Sequence, residues 1–329
     1  MLDLDIPERE YLLLPWLRQG DSALIYAPTG AGKSIFTLAL CLAVAGGGDF
    51  LGWRCAKPRK VFYVDGEMPE ADIIERARML LPTIEGCDAE AARGNLCFLA
   101  RQAQHMDAEF PDLATPEGQA DVLKRATAGG YELLVLDNFS TLAECEDENA
   151  AGAFNGIVKF LMRAKQAGLA CILIHHSNKN GTDYRGSSKL ATTFEVLIGL
   201  SRSTKASIPR DALGFDLAWA KYRHKRDATT RGRSVWFGKD DTAGALTWHY
   251  ETTEAEELGE LVELVKTLNY AKQAELAEAI GISTGELSKR KARAIVLKLI
   301  TEEDWTGCLA QARSLREGVP EEENTSAEF

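Results

Sequence analysis

The stretch Ala27-Pro28-Thr29-Gly30-Ala31-Gly32-Lys33-Ser34 constrains this chain more than any other. It follows an apolar run, Ala23-Leu24-Ile25-Tyr26, and precedes Ile35, Leu38 and Leu42, which recur at helical spacing. Strand, glycine-bearing turn and helix in that order read as a phosphate-binding loop of the form Gly-x-x-x-x-Gly-Lys-Ser/Thr, with Ala27 in place of the first glycine. Gly30 and Gly32 let the backbone close in on phosphates, and successive N–H groups point inward as an anion nest. The residues expected to hold the nucleotide are Pro28, Thr29, Gly30, Ala31, Gly32, Lys33, Ser34 and Ile35. Lys33 is expected to reach the β- and γ-phosphates of ATP, and Ser34 to ligate Mg²⁺. Ala27 has only to avoid a positive φ.

Such a loop belongs in an α/β fold with a mostly parallel central sheet, and the flanking sequence agrees. Short, wholly apolar runs recur at Val61-Phe62-Tyr63-Val64, Leu133-Leu134-Val135-Leu136 and Ala170-Cys171-Ile172-Leu173-Ile174. Strands covered by helices on both faces read this way. From about 194 to 250, four further runs (196–200, 215–219, 234–237 and 246–250) read as successive antiparallel strands that extend the sheet. Acidic Glu254-Ala255-Glu256-Glu257 then opens a helix. The expected division is an ATPase domain at 1–252, a small helical domain at 253–318 and a disordered acidic tail at 319–329.

Two carboxylates stand at strand ends, where α/β sheets bind ligands. Asp137 follows Leu133-Leu134-Val135-Leu136, the place of a Walker B aspartate, and is expected to hold Mg²⁺ with Ser34. Glu67 follows Val61-Phe62-Tyr63-Val64-Asp65-Gly66. Its position suits a general base for the attacking water. It suits equally a solvated turn residue ahead of the helix that Met68-Pro69-Glu70 opens.

Composition bounds the partners. A net charge of -11 over 329 residues argues against a surface that coats nucleic acid, but leaves room for a locally basic channel. Seven scattered cysteines without a Cys-x-x-Cys pair read as core residues in a reducing, cytoplasmic setting. Neither a membrane span nor a signal peptide is expected.

Taken together, Ala27–Ser34, Tyr63-Val64-Asp65-Gly66-Glu67, Leu134-Val135-Leu136-Asp137, Ile172-Leu173-Ile174-His175-His176-Ser177-Asn178-Lys179 and Arg185-Gly186-Ser187-Ser188 resemble the RecA-like ATPases over about residues 10–240. The resemblance is to hexameric replicative helicases of the plasmid RepA type and related ATPases of phages and mobile elements. It implies that Glu67 is the catalytic base and that His176, at the end of a core strand, senses the γ-phosphate. It implies a homo-oligomer, a hexamer by preference. Loop 178–189 would grip single-stranded DNA, with Lys179, Arg185 and Lys189 on phosphates and Tyr184 stacked on a base. Lys221-Tyr222-Arg223 resembles the Lys-x-Arg element that enters a neighbouring subunit's nucleotide site. Glu144, Glu146, Asp147 and Glu148, after Asp137, are awkward for a loop that faces DNA.

Residues 273–290 resemble a helix-turn-helix of a winged-helix-like domain. Ala277 is the small residue between helices, Gly281 makes the turn, and Ser283 caps a second helix carrying Lys289, Arg290, Lys291, Arg293 and Lys298. Residues 283–298 are therefore a candidate duplex-DNA contact, or a protein contact. Arg290 stands where that pattern usually has an apolar residue. Two functions follow: a ring-forming DNA helicase, or an ATP-switched DNA-binding regulator.

Overall fold

The computed structural model describes residues 8–143, 155–178, 184, 192–203, 205, 207–225, 227–240 and 244–317. These fall into two units, Met1–Glu251 and Thr252–Phe329. In chain order the strands of the first are β1 (Tyr11–Leu13), β2 (Leu17–Arg18), β3 (Ser22–Ala27), β4 (Asp49–Phe50), β5 (Trp53–Arg54), β6 (Val61–Asp65), β7 (Leu96–Ala100), β8 (Leu133–Asp137), β9 (Ala170–His176), β10 (Val196–Arg202), β11 (Leu213–Tyr222), β12 (Arg233–Lys239) and β13 (Leu246–Thr252). Its helices are α1 (Lys33–Gly46), α2 (Glu70–Leu80), α3 (Ala89–Asn95), α4 (Pro116–Ala128), α5 (Phe139–Leu142) and α6 (Asn155–Gln166).

Nine strands form one sheet in the order β13-β12-β11-β10-β3-β9-β8-β6-β7. The six strands from β10 to β7 run parallel, and β11 then turns antiparallel to both β10 and β12. The expectation of successive antiparallel strands from 196 onward therefore needs one change. β10 pairs antiparallel with β11 but joins the core parallel to β3, Val196 opposite Ala23 and Gly199 opposite Tyr26. Edge strand β7, Leu96-Cys97-Phe98-Leu99-Ala100, is a further apolar run that the sequence reading did not assign, and only Ala100 of it is fully buried, as suits the rim of the sheet.

The period of two along each strand builds two cores, one on each face of the sheet. Ala23, Ile25 and Ala27 of β3, Leu133 and Val135 of β8, and Ile172 and Ile174 of β9 point into the face covered by α1. Leu24 and Tyr26, Leu134 and Leu136, and Cys171 and Leu173 point into the other, against Val122 of α4 and Phe160 of α6. Burying each Leu, Ile, Val or Phe contributes about 1.5–3 kcal/mol, so a one-residue slip in register would expose a whole row at once. Twelve residues of α1 are buried, because it lies between the sheet and α2–α3 rather than at the surface. Trp16, Trp53 and Trp219 pack edge to face behind it, with ring centroids 5.5–5.7 Å apart.

The second unit holds α7 (Glu254–Lys266), α8 (Gln273–Ala279), α9 (Thr284–Val296) and α10 (Glu302–Glu317). Its core comprises Leu258, Leu261, Val262, Val265, Leu276, Ala277, Leu287, Ala294, Ile300 and Trp305. Gly281, at φ 70°, turns the chain between α8 and α9, and the Ser283 hydroxyl accepts the Glu286 N–H to cap α9. Among the described residues beyond Thr252 there is no strand, so the wing of a winged helix is not seen there. Residues 319–329, the expected acidic tail, lie outside the described residues.

Candidate nucleotide-hydrolysing site

The site begins where β3 ends. Gly30 and Gly32 take φ of 76° and 92°, the left-handed region that glycine enters without a Cβ penalty, while Ala27 does not. Gly32 caps α1, whose first N–H groups and positive dipole end face the loop. The Lys33 ammonium donates to the carbonyls of Ala27 (3.0 Å) and Pro28 (3.1 Å), curling over the loop it would share with phosphates. Burial draws its pKa down, opposed by the charges of Asp137 and Glu67.

Two neighbouring strands deliver the acids. β6 and β8 pair so that Asp65 stands directly opposite Asp137. Asp137 is 5% exposed, and its Oδ2 accepts the Tyr63 hydroxyl at 2.6 Å. Its pKa is pushed up to about 6, by burial first and then by the charges of Asp65 and Glu67, against hydrogen bonds from Tyr63 and Ser34. Ser34 thus meets Asp137, and the pair forms a hydroxyl–carboxylate edge beside the phosphate loop. That donor set fits Mg²⁺, which is commonly held by one or two protein oxygens, phosphates and water. Among the described residues, no group of three or more His, Cys, Asp or Glu is arranged to hold a metal alone, so phosphates would have to complete the shell.

Glu67 is exposed toward the same space, and its Oε2 accepts the Asn138 amide at 2.7 Å. The Gly66 N–H donates to the Asp137 carbonyl at 2.8 Å, tying the turn that carries Glu67 to the strand end that carries Asp137. His176 and His175 alternate across β9. His176 lines the cavity, while His175 is buried with its ring edge-on to Phe139. The cavity, of about 630 Å³, brings together Thr29, Gly30, Gly32, Lys33, Ser34, Ile35, Glu67, Asp137 and His176.

The motifs do not reach the rest of its wall. Asp72, Glu75, Arg76 and Met79 of α2 line it, as do Asn138 and Leu213. The spacing 72, 75, 76, 79 is one helical face, so this stripe was present in the sequence as a period without a motif. An Arg202 guanidinium nitrogen lies 3.6 Å from the point a Cβ on Gly30 would occupy, and Leu213 comes within 3.1 Å of the corresponding point on Gly32. These two contacts follow from strand order, which placed β10 beside β3 and β11 next beyond β10.

Lys221 and Arg223 are not brought to this cavity. β11 starts at the phosphate loop with Leu213 and runs away from it, so Arg223, ten residues on, is about 33 Å distant at 3.3 Å per residue. There Arg223 donates to the Thr192 carbonyl (2.6 Å) and faces Glu195 (3.4 Å), which also pairs with Lys165 (2.6 Å). Of loop 178–189, Lys179, Arg185 and Lys189 lie outside the described residues, as do Glu144, Glu146, Asp147 and Glu148. Tyr184 is half-buried, and its ring packs edge to face on Tyr26 at 5.9 Å, so it is not presented as an open platform for a base. On α9, Arg290 pairs with Glu286 (3.2 Å), Arg293 with Glu254 (3.1 Å), and Lys291 with Glu302.

A phosphate loop with its lysine, a buried strand-end aspartate against the loop serine, and a glutamate on the adjacent strand define a RecA-like P-loop ATPase. The family comparison agrees: a model described as AAA domain matches residues 2–182, and the chain belongs to that family. Among solved structures, a KaiC-like protein from the hyperthermophilic archaeon Pyrococcus horikoshii OT3 is 15% identical, with a TM-score of 0.49 over 74% of this chain and 99% of that one. Among the described residues, no helix is long and apolar enough to cross a membrane.

Proposed function

We propose that this ATPase is a motor that assembles into a ring, a hexamer by preference, and draws single-stranded DNA through it as a helicase. One observation carries the oligomeric part. Lys221 and Arg223 stand about 26 and 33 Å of strand away from the phosphate loop of their own chain, so they can serve a nucleotide only in a neighbouring subunit. The DNA substrate and a role in replicating a plasmid, phage or other mobile element rest on the likeness of the motifs to RepA-type helicases.

In this reading ATP lies with its phosphates over Lys33 and the nest at Gly30–Gly32. Its nucleoside enters the adjoining cleft of about 340 Å³ lined by Ile35, Met79, Leu213, Phe237 and Leu246. Mg²⁺, held by Ser34 and Asp137, would neutralise charge developing on the β- and γ-oxygens. Glu67 orients and deprotonates the attacking water, with the Asn138 amide fixing one of its oxygens. His176, at the cavity wall, senses the γ-phosphate and passes its state to the loop that follows.

The regulator reading depends on the cations of α9 reaching duplex DNA. Lys298, expected on that helix, lies past its end at φ 57°, and of the four that α9 does carry, Arg290, Lys291 and Arg293 sit against carboxylates, which favours the motor.

The test is ATP turnover with and without single-stranded DNA, with mass in solution measured by light scattering. Stimulation together with a ring-sized assembly supports the motor. A dimer whose duplex binding responds to ATP overturns it in favour of the regulator. In the same assay Lys33→Ala abolishes hydrolysis, and Glu67→Gln binds ATP without hydrolysing it. Undiminished turnover in Lys33→Ala would overturn the nucleotide site itself.

A further inference from the structure

The buried carboxylate Asp65 has no part in the scheme above, yet it sits at its centre. It ends β6, is 1% exposed and stands opposite Asp137 across the ladder. Its Oδ1 accepts two backbone N–H groups, from Glu67 at 2.8 Å and Met68 at 2.6 Å. Its Oδ2 is buried without a hydrogen-bond partner among the described residues. A buried carboxylate costs stability unless hydrogen bonds offset it, and here only one of its two oxygens is satisfied. An apolar residue in a strand-end position with four buried neighbours along β6 would be the cheaper choice for stability alone.

The two bonds close the turn Asp65-Gly66-Glu67-Met68 on itself. At the other end of the same glutamate, Asn138 holds the Glu67 carboxylate at 2.7 Å. Gly66 leaves no slack between them. A Cβ there would come within 2.3 Å of the Thr141 hydroxyl, so the turn is pressed against α5 and cannot drift that way. Glu67 is therefore fixed at its backbone by Asp65, at its side by α5 and at its head by Asn138.

We propose that Asp65 is a positioning residue: its Oδ1 sets the backbone of Glu67 and so the place where the Glu67 carboxylate meets the attacking water. This rests on Glu67 being the base. What the role requires of position 65 is an acceptor oxygen at a fixed point. It does not require a charge. A misplacement of about 1 Å at a catalytic group can cost up to about a hundredfold in rate, and the loss falls on the chemical step rather than on ATP binding.

Four variants of the full chain test it, with kcat and KM for ATP and a thermal melt of each. Asp65→Asn keeps an acceptor at the same point and is expected to hold kcat within about threefold of the parent. Asp65→Glu keeps the charge but moves the acceptor by one methylene. It is expected to lose about tenfold or more in kcat, with KM within about twofold. If charge is what matters, the order reverses, with Asp65→Glu active and Asp65→Asn inactive, and the proposal is overturned. It is also overturned if KM rises as much as kcat falls. The third and fourth variants are Glu67→Gln alone and with Asp65→Glu. Acting through Glu67, Asp65→Glu has no further effect on residual turnover in the Glu67→Gln background. An undiminished second loss there would overturn the positioning role while leaving Glu67 as the base. Wild-type turnover of Glu67→Gln alone would overturn the base assignment, and the proposal with it.

Discussion

Replacing Asp137 by asparagine should make the stability of the protein less dependent on pH, by an amount the site geometry sets. Asp137 is buried among Tyr63, Ser34, Asp65 and Glu67, and its pKa is pushed up to about 6. In the unfolded chain an aspartate titrates near about 3.9. Between those values the folded protein keeps a proton that the unfolded chain has released, so stability falls as pH rises through this window and is level above it. A difference of about 2 in pKa, at about 1.4 kcal/mol each, amounts to about 3 kcal/mol in full, of which about 2 kcal/mol is lost between about pH 4 and pH 7.5. Asparagine has no such titration. Tyr63 can donate to its amide oxygen as it does to the carboxylate, and the Ser34 hydroxyl can turn to accept from the amide N–H. The assay is urea unfolding of both proteins without Mg²⁺ or nucleotide, followed by tryptophan fluorescence. Five of the six tryptophans lie before residue 252, so the signal reports this unit. The stability of Asp137→Asn relative to the parent should rise by about 2 kcal/mol from pH 4 to pH 7.5. A gap that stays flat across that range, or narrows, would refute the account of Asp137 as a carboxylate held against its desolvation.

Three further outcomes follow. Gly66→Ala drives a methyl to within 2.3 Å of Thr141 Oγ1, so it should lower stability by about 1–3 kcal/mol and reduce kcat by displacing Glu67; differential scanning calorimetry and ATP turnover check both. Neither Arg223→Ala nor Lys33→Ala alone should turn over ATP well, but mixed subunits should regain activity as intact loops meet intact arginines; an absence of rescue at every ratio would count against action in trans. Blunt duplex DNA should bind residues 283–298 with at most about two phosphate contacts, from Lys289 and Lys298, because Arg290, Lys291 and Arg293 are already paired; a log–log salt slope of about -4.5 would show that all five cations reach phosphates.

Much of the site was legible because its signals are local. The glycines at 30 and 32, the lysine and the serine occupy fixed places in one turn, and an apolar strand and an amphipathic helix on either side are enough to identify it. Asp137 and Glu67 are found by the same logic, as acids closing apolar strands. The sheet core was legible too, since Leu133–Leu136 and Ala170–Ile174 are apolar at every position only when both faces are covered. The α2 stripe of Asp72, Glu75, Arg76 and Met79 was visible only as a period. Polar residues at helical spacing look like any solvated face until a strand order brings that face to the cavity.

The sequence by itself determined that a phosphate-binding strand–turn–helix lies in a parallel α/β core, because backbone preference and hydrophobic period act over a few residues. It could not say which side of the sheet each acid and cation would occupy. Tertiary structure decided that, by pairing β6 with β8 so that Asp65 stands opposite Asp137, and by setting β10 beside β3 with β11 on its outer side. The same pairing sends Lys221 and Arg223 to the far end of the sheet from the loop they were expected to complete elsewhere. It also placed Glu254, Glu286 and Glu302 against the cations of α9. Of these, Glu286–Arg290 is a local i,i+4 pair, whereas Glu254 with Arg293 and Glu302 with Lys291 join different helices and no local period records them.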